Sequence, residues 1–304
     1  MMDNPKFAYM NGKIVPWAEA QVHVFSPVVR YAAAVFESIL GFWDGENVNM
    51  FRLDDHLDRL TYAQKMMRFT THVEGVKESI IELVQANEFK EDVAVRPMVY
   101  LGGESPGGAI GATGPASLAI TVFPKPPSKL MKTGCTAQVS SWTRISDSSM
   151  PARIKSTANY HNGRLAEMQS KLEGYDSCIL LNDKGYVSEG PGQCFAMIRN
   201  GELVTPDTSS DILESITRDT LLQLAQRNGI GVSERTITRS ELYSAEEAFF
   251  CGSGWAVTPI TAIDQLAVGS GIPGPITIRL QKLYFQSARG GDPKWLTPAR
   301  VYML

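Results

Sequence analysis

The spacing of apolar and polar residues in the first part of the chain predicts paired strands. Residues 7–17 form one run that is interrupted at Asn11-Gly12, the dipeptide that most strongly favours a two-residue hairpin turn. Residues 35–43 and 48–51 are apolar runs on either side of the polar residues 44–47, which predicts a second hairpin. Residues 93–100 and 118–123 predict two more strands.

Apolar residues at helical spacing lie between these strands. The first helix is predicted to begin with Asp54 or Asp55 as its N-cap, because apolar residues recur at a helical spacing behind them. The stripe of this helix consists of Leu57, Leu60 and Met67. A second helix is predicted over residues 73–86, with the stripe Val76, Ile80, Leu83 and Val84. These strands and helices together predict a small α+β domain over residues 1–122.

A proline-rich segment separates this domain from the remainder of the chain. Residues 123–129 contain three prolines, and proline blocks both helices and strand ladders, so we expect an interdomain linker over residues 123–135. A large domain is predicted over residues 136–304. Its strands are predicted near 136–142, 178–181 and 194–198, and its helices near 158–172, 215–227 and 276–284.

Composition narrows the class of protein. The 304 residues include 29 basic and 32 acidic ones, and the resulting net charge of −3 gives no electrostatic reason to expect nucleic acid or an acidic membrane as a partner. No apolar stretch approaches the ~20 residues of a membrane span, and no apolar run follows a basic N-terminus. We therefore expect a cytoplasmic protein. The four cysteines and four histidines lack metal-ligand spacing, which predicts buried, reduced thiols and no metal site.

Lys155 and Glu189 are the two residues whose chemistry is most specific. Lys155 lies among small and apolar residues, where desolvation can lower the pKa of an amine and make it a nucleophile. Glu189 lies in the Gly-flanked turn Ser188-Glu189-Gly190, where a carboxylate can hold a positive charge. A pyridoxal phosphate enzyme needs both groups, an amine for covalent attachment and an anion for the pyridine nitrogen.

Three further segments have the composition of a phosphate site. A phosphate dianion binds to the amides of a helix start, to hydroxyls and to a cation. Ser215-Ile216-Thr217 supplies a predicted helix start with hydroxyls, Gly252-Ser253-Gly254 supplies another hydroxyl, and Arg59 supplies a cation. Taken singly, such features are more often a cap, a turn and a solvated helix face. Their occurrence together in this order favours a phosphate site.

Several motifs, distributed over nearly the whole chain, are similar to those of a known family. They are the run from Tyr31 to Glu37, Ser140-Ser141-Trp142, Lys155 followed by Asn159-Tyr160, the run from Gly185 to Gly190, and Ile216-Thr217-Arg218-Asp219. In these motifs the chain resembles the fold-type IV pyridoxal phosphate enzymes, and among them the branched-chain amino acid aminotransferases. The resemblance implies an α/β (α+β) fold with a small α+β domain, a larger pseudo-barrel domain, and pyridoxal 5'-phosphate in the cleft between them.

The resemblance also implies a role for each candidate site residue. Lys155 would bind the cofactor covalently and act as the proton-transferring base, Glu189 would pair with its ring nitrogen, and Tyr160 would hydrogen-bond its phenolic oxygen. The residues implied for the phosphate are Arg59, Ile216, Thr217 and Ser253. Those implied for the substrate are Tyr31, Phe36, Arg96, Gly254 and Arg30. Tyr31 would reach over from the neighbouring subunit of a homodimer or higher homo-oligomer.

The expected substrate pocket departs from the family pattern. Leu40 stands where an arginine is common, Ala94 where a tyrosine is common, and Lys125 where an aromatic residue is common. Arg96 is kept and is expected to bind a carboxylate, while Arg30 adds a second cation where a histidine is frequent. The Schiff-base and phosphate residues are intact, so the departures concern specificity.

Three functions remain open from the sequence. The first is transfer of an amino group between a branched-chain or other apolar amino acid and a 2-oxo acid such as 2-oxoglutarate, which Asn159-Tyr160 and the run from Ile216 to Asp219 favour. The second is a D-amino acid or (R)-amine transaminase, or an aminodeoxychorismate lyase-like enzyme, of the same fold, which Leu40 and Ala94 favour. The third, a non-catalytic binding module, conflicts with the intact candidate site residues.

Overall fold

A computed structural model of the chain describes residues 4–70, 74–103 and 110–301. The chain divides into two compact units, of which the first consists of Met1–Pro126, Ile154–Ala158 and Ser287–Leu304. The second consists of Pro127–Arg153 and Asn159–Gln286. This division differs from the predicted domains, because the segment with Lys155 and the C-terminal segment both pair with strands of the first unit.

The strands, in chain order, follow this division. Those of the first unit are β1 (Phe7–Met10), β2 (Lys13–Pro16), β3 (Ala34–Phe36), β4 (Ile39–Trp43), β5 (Asn47–Phe51), β6 (Val93–Tyr100) and β7 (Ser117–Pro124). Those of the second unit are β8 (Cys135–Thr143), β9 (Ser177–Leu181), β10 (Cys194–Arg199), β11 (Glu202–Thr205), β12 (Val232–Glu234), β13 (Glu247–Gly252), β14 (Ala256–Ile263) and β15 (Leu266–Ala267). The last strand, β16 (Leu296–Arg300), belongs again to the first unit.

The helices complete the two units. Those of the first unit are α1 (Pro27–Tyr31), α2 (Leu53–Met66) and α3 (Val76–Asn87). Those of the second unit are α4 (Leu130–Thr133), α5 (Asn159–Leu172), α6 (Ile216–Arg227) and α7 (Pro275–Gln286). The expected linker therefore includes the end of β7, all of α4 and the start of β8. In the part of the chain that the structure describes, no helix has the length and apolar character needed to cross a membrane.

The first unit is built on one antiparallel sheet in the order β16-β5-β4-β6-β7-β1-β2, with β3 also paired to β6. Both predicted hairpins are confirmed. Asn11 and Gly12 have positive φ angles of 48° and 90° at the β1–β2 turn, as a hairpin turn of this kind requires. The β4–β5 turn is closed by the Asp44 carboxylate, which accepts hydrogen bonds from the amides of Glu46 and Asn47.

One face of this sheet forms the core of the first unit. Ile39, Val95 and Val122 are register partners on β4, β6 and β7, and all three are fully buried. Leu60 of α2 and Ile80 of α3 belong to the same hydrophobic cluster. The predicted apolar stripe of the second helix is confirmed, although its predicted start at residue 73 lies outside the described residues and α3 begins at Val76.

The predicted N-cap of α2 is wrong. The helix begins at Leu53, and the cap position is held by Arg52 in the left-handed region with a φ of 51°. The Arg52 amide donates to the Trp295 carbonyl on the C-terminal segment, and its Nε donates to Asp55 at 2.8 Å. Asp54 and Asp55 instead lie in the first turn, where acidic side chains favour the positive end of the helix dipole.

The second unit contains a mixed sheet in the order β12-β11-β10-β13-β14-β8-β9, with β15 on the edge of β14. Its strands β8 and β9 are parallel because the helix α5 connects them, and α6 likewise connects the parallel pair β11 and β12. The predicted cap of α6 is confirmed, since the Ser215 hydroxyl accepts a hydrogen bond from the Arg218 amide at 3.3 Å.

Candidate active site

Lys155 lies on a short segment that extends the sheet of the first unit at β3. The Phe36 amide donates to the Lys155 carbonyl at 3.0 Å, and the Thr157 amide donates to the Ala34 carbonyl at 3.1 Å. The Thr157 hydroxyl also donates to the Ala32 carbonyl at 2.8 Å. The Lys155 Nζ lies 4.9 Å from the centre of the Phe36 ring, within cation–π range. The backbone hydrogen bonds therefore fix the Lys155 segment to the first unit, and the amine lies next to the Phe36 ring.

A buried ion cluster lies next to Phe36 in the sequence and on the same unit. The fully buried Glu37 carboxylate accepts from Arg59 Nε on one oxygen and from Arg59 Nη2 on the other, both at 2.7 Å. The His56 Nδ1 lies 2.7 Å from the second of these oxygens, so we assign the ring proton to Nδ1. His56 and Arg59 are three residues apart on α2, which places both on one helix face.

The charges of this cluster follow from burial and proximity. Burial by itself raises the pKa of Glu37, but Arg59 and then His56 lower it well below its usual range, so the carboxylate is ionised. Burial lowers the pKa of His56, Glu37 raises it in part, and Arg59 and Lys155 lower it further. The cluster therefore consists of a neutral imidazole, an anion and a bidentate guanidinium whose orientation is fixed.

The face of the first unit's sheet opposite the core carries the substrate candidates. Phe36 is paired with Met98, and Arg96 lies two residues from Met98 on the same strand, so its side chain lies on the same face. Leu40 and Ala94, two of the departures from the family pattern, are direct cross-strand partners on this face. Both departures therefore alter the same position on this sheet face, relative to the family pattern.

Arg30 and Tyr31 lie in the short helix α1 of the same unit. The Arg30 guanidinium lies 4.5 Å from the centre of the Phe25 ring and 4.9 Å from that of Tyr31, so it stacks on both. Phe25 is 45% exposed and Val29 is 53% exposed. These residues form an exposed aromatic and basic surface.

In the second unit, Glu189 is a buried carboxylate. The sequence predicts it as a site residue but does not predict its partner, Arg144. Arg144 Nη2 lies 2.7 Å from Glu189 Oε1, and the side chains of both residues are 6% exposed. The Leu213 amide donates to Glu189 Oε2 at 3.2 Å. Arg144 is itself fixed, because its Nε donates to the Asp211 carbonyl and its amide to the Leu181 carbonyl. Nothing in the sequence singles out Arg144 as the partner of Glu189 except that it is an arginine directly after β8.

Two cysteines lie beside this carboxylate. Cys194 and Cys251 are register partners on β10 and β13, and the Cys194 thiol donates to Glu189 Oε2 at 3.7 Å. The hydrogen bond with Cys194, followed by burial, raises the pKa of the Cys251 thiol well above its usual range. All four cysteines are buried and free, which confirms the expectation of buried, reduced thiols.

Tyr160 lies on α5, which packs closely against the loop that follows Glu189. A Cβ at Gly163 would lie 2.2 Å from the Pro191 carbonyl oxygen, so a side chain there would force the helix and the loop apart. A Cβ at Gly192 would lie 3.4 Å from the Tyr160 ring. The two glycines therefore bring Tyr160 and the loop after Glu189 together within the second unit.

The remaining second-unit candidates lie at a helix start and at a turn. Ile216 and Thr217 are the first residues of α6, whose leading amides have no carbonyl partner within the helix. Arg218 anchors this end of α6, because its Nε donates to the Thr205 hydroxyl and its Nη2 to the Pro206 carbonyl. Ser253 and Gly254 form the turn between β13 and β14, which the hydrogen bond from the Trp255 amide to the Gly252 carbonyl closes at 3.1 Å.

Each unit, taken by itself, carries donor groups of the kinds that pyridoxal phosphate needs. The first unit supplies a primary amine at Lys155 and the oriented guanidinium of Arg59. The second unit supplies the buried carboxylate of Glu189, the helix start at Ile216 and Thr217, and the Ser253 hydroxyl. An aldehyde needs the amine, a pyridine nitrogen needs the carboxylate, and a phosphate needs the amides, hydroxyls and guanidinium.

Comparisons with known proteins agree with these groups. The model of the family "Amino-transferase class IV" matches residues 34–263. The probable branched-chain-amino-acid aminotransferase of Aquifex aeolicus is 37% identical over 303 residues, which cover 96% of each protein. The branched-chain amino acid aminotransferase of Thermobaculum terrenum, solved in its PLP-form, is 39% identical with a TM-score of 0.89, and the match covers 97% of this chain and 99% of that one.

A second solved structure shows the same likeness. The T.th. branched-chain amino acid aminotransferase, complexed with N-(5'-phosphopyridoxyl)-L-glutamate, is 31% identical with a TM-score of 0.92, and the match covers 99% of this chain and 100% of that one. Family model, relatives and donor groups therefore lead to one conclusion. The chain belongs to the class IV aminotransferase family and is a pyridoxal phosphate-dependent aminotransferase of fold type IV.

Proposed function

We propose that this enzyme transfers the amino group of branched-chain and other apolar L-amino acids to 2-oxoglutarate. The relatives named above are branched-chain aminotransferases, and one of them is complexed with a phosphopyridoxyl derivative of L-glutamate. The observation that carries the proposal is the composition of one sheet face. Leu40, Ala94 and Phe123 form an apolar row across three strands, and Arg96 lies next to it. An apolar row suits an apolar side chain, and a guanidinium suits a carboxylate.

Each site residue has a defined task in this proposal. The cofactor, when bound, withdraws electrons from the substrate's α-carbon. Glu189, which is paired with Arg144, would hold the protonated ring nitrogen, and Tyr160 would hydrogen-bond the phenolic oxygen. The amine of Lys155 would hold the cofactor covalently and, once released, would move a proton to and from the substrate's α-carbon. Arg59, the start of α6 and Ser253 would hold the phosphate, and Gly254, where nothing lies within 4 Å of an added Cβ, would leave space for the substrate.

A donor panel tests this function. We expect L-leucine to convert the enzyme to its aminated cofactor form faster than D-alanine or (R)-1-phenylethylamine does, and 2-oxoglutarate to restore the starting form. The visible spectrum follows both steps. Conversion by D-alanine or the (R)-amine without conversion by L-leucine would instead identify the second candidate, which the paired departures Leu40 and Ala94 favour.

Assembly and location are part of the same proposal. Tyr31 is proposed to complete the site of a neighbouring subunit in a homodimer or higher homo-oligomer. The exposed apolar residues Val24, Phe25 and Val29 around it suit a subunit contact, since monomers seldom expose such patches. We also propose a cytoplasmic location.

A further inference from the structure

Lys125 lies on the same sheet face as the substrate candidates of the first unit. It follows β7 directly, and its amide donates to the Asp92 carbonyl at 2.7 Å, which continues the β6–β7 register by one further pair. Side chains alternate along a strand, so Lys125 lies on the face of Phe123 and Thr121. Phe123 is the partner of Ala94, and Thr121 is the partner of Arg96.

Electrostatics agree with this placement. Burial lowers the pKa of Lys125, and Arg96 lowers it further, so the two cations are within Coulombic range of each other. The carboxylate of Asp92, the acidic residue nearest in register, is engaged by other groups, because it accepts from the Trp43 amide and from the Arg289 guanidinium. Among the described residues, the exposed Arg96 has no carboxylate partner.

The side chains between the two cations are apolar and uncharged. On a rise of about 3.3 Å per residue and a strand spacing of about 4.8 Å, the Cα atoms of Arg96 and Lys125 are roughly 14 Å apart. Ala94 and Phe123 are the register pair between them. Because position 94 carries a methyl group, two long cationic side chains can approach one anion above it. Leu40, on the other side of Ala94, carries no charge of its own.

This sheet face also lies close to the candidate amine of Lys155. Phe36 lies on it beside Met98, and the Lys155 Nζ lies 4.9 Å from the Phe36 ring. A ligand anchored by the two cations would therefore lie over the sheet that carries the reactive amine. Where the family commonly has an arginine at position 40, this chain has a leucine and supplies a second cation from the end of β7 instead.

We propose that Lys125 is a specificity-determining residue that, together with Arg96, binds the distal carboxylate of a dicarboxylic substrate such as 2-oxoglutarate or L-glutamate. The inference rests on the proposed function and deepens it. A single site must accept both an apolar side chain and a carboxylate during one catalytic cycle. The row from Leu40 to Phe123 takes the apolar side chain, and the cations at its edge take the carboxylate. An apolar substrate makes no use of Lys125.

The test compares two ligands and two half-reactions in the holoenzyme. Lys125→Met removes the charge and keeps the length of the side chain, and Lys125→Arg keeps the charge. We expect Lys125→Met to lower the rate of the L-glutamate half-reaction at low substrate by roughly tenfold or more, and that of the L-leucine half-reaction by less than about twofold. Lys125→Arg should keep most of the L-glutamate rate. Lys90→Met, at an exposed position of the same unit, is the matched control.

Calorimetry of unreactive ligands gives a readout that is independent of turnover. Lys125→Met should weaken binding of glutarate roughly tenfold and leave binding of 4-methylvaleric acid unchanged. Equal losses for both ligands, or in both half-reactions, would overturn the proposal, because Lys125 would then bind the carboxylate that all substrates share or support the strand. Unchanged glutarate binding would overturn it as well. If the parent enzyme itself accepts neither L-glutamate nor L-leucine, the proposed function fails. Weaker glutarate binding by Lys125→Met would then still show that Lys125 binds a dicarboxylate, whereas unchanged glutarate binding would overturn that inference as well.

Discussion

Two buried carboxylates, Glu37 in the first unit and Glu189 in the second, are each held by an arginine. A buried carboxylate without its cation is costly, so removal of either arginine affects the carboxylate as well as the arginine's own contacts. For Arg59, the substitution is therefore combined with one that leaves no charge stranded. For Arg144, the stranded carboxylate of Glu189 is itself the effect to be measured.

Arg144→Gln is expected to weaken cofactor binding through Glu189. Without the guanidinium, the buried carboxylate of Glu189 is more readily protonated and pairs less well with a ring nitrogen. We expect an affinity loss of roughly tenfold for pyridoxal phosphate, about 1.4 kcal/mol. A carbocyclic analogue, with carbon in place of the ring nitrogen, should lose much less affinity. Equal losses for both ligands would mean that Arg144 supports only the fold.

The matched control for Arg144→Gln is Arg235→Gln. Arg235 also forms a pair with a glutamate, Glu241, in the same unit, but its side chain is more exposed. We expect this variant to bind both cofactors as the parent does. Fluorescence titration of the cofactor-free protein measures the affinities.

Arg59 is expected to anchor the cofactor phosphate through its guanidinium, which Glu37 orients. The double variant Glu37→Gln/Arg59→Gln removes the guanidinium and leaves no buried charge unpaired, whereas Glu37→Gln alone keeps the guanidinium. Loss of a charge-assisted contact costs about 1.5–3 kcal/mol, so the double variant should bind pyridoxal phosphate roughly ten- to a hundredfold more weakly than Glu37→Gln. If equilibrium dialysis gives the two variants the same affinity, Arg59 has a structural role only.

At the scale of elements, local pattern predicts the strands and helices, but it does not predict their long-range pairing. Alternation in residues 93–100 and the helical stripe from Val76 to Val84 are local signals, and both elements form. The segment of Lys155 becomes part of the first unit through a bridge between Val35 and Ser156, for which no local signal exists. Likewise, β16 pairs with β5 from the far end of the chain.

The candidate site shows the same division between local and long-range information. The candidate amine of Lys155 and the helix start of α6 were both predicted from short motifs, because each lies within a few residues of its own landmarks, and the structure confirms the helix start. Arg144 reaches Glu189 only through the parallel pairing of β8 and β9, so its partner could not be identified from sequence. The N-cap of α2 was mistaken because Arg52 is fixed by the Trp295 carbonyl, a distant contact that capping rules do not include.

Helix α5 depends on close contact at Gly163. Ala has a higher helix propensity than Gly by about 1 kcal/mol, which alone would favour Gly163→Ala. A Cβ 2.2 Å from the Pro191 carbonyl oxygen overpacks this contact, at a cost of about 1–3 kcal/mol. We expect a lower melting temperature and, because Tyr160 is carried on α5, weaker cofactor binding. Arg164→Ala, at the exposed neighbouring position, should lower neither. A stabilised Gly163→Ala variant would contradict this account.

At the scale of the whole molecule, His56 makes stability depend on pH. Its folded-state pKa is lowered, chiefly by burial, so the unfolded chain takes up a proton at a higher pH than the folded one. The contribution of His56 to stability is therefore complete above about pH 6.5 and is lost as the pH decreases below that value. Urea denaturation of the cofactor-free protein at pH 7.5 and 5.5 measures this loss. His56→Gln should remove most of it, whereas a loss that persists in the variant must come from other groups.

The oligomeric state can be tested by combining subunits that are each defective. If Tyr31 serves the neighbouring subunit's site, a dimer of one Lys155→Ala chain and one Tyr31→Ala chain has one site with both residues intact. After random reassortment, half of the dimers are mixed, so activity should recover to roughly a quarter of the parent value. The control is a mixture of Lys155→Ala and Glu189→Gln chains. Both residues are proposed to serve the site of their own chain, so each of the two sites in a mixed dimer keeps one defect and no activity should return. Recovery in neither mixture, or sedimentation of the active enzyme as a monomer, would show that Tyr31 acts within its own chain. The stacked Arg30 and Tyr31 would then be a surface feature of the first unit alone.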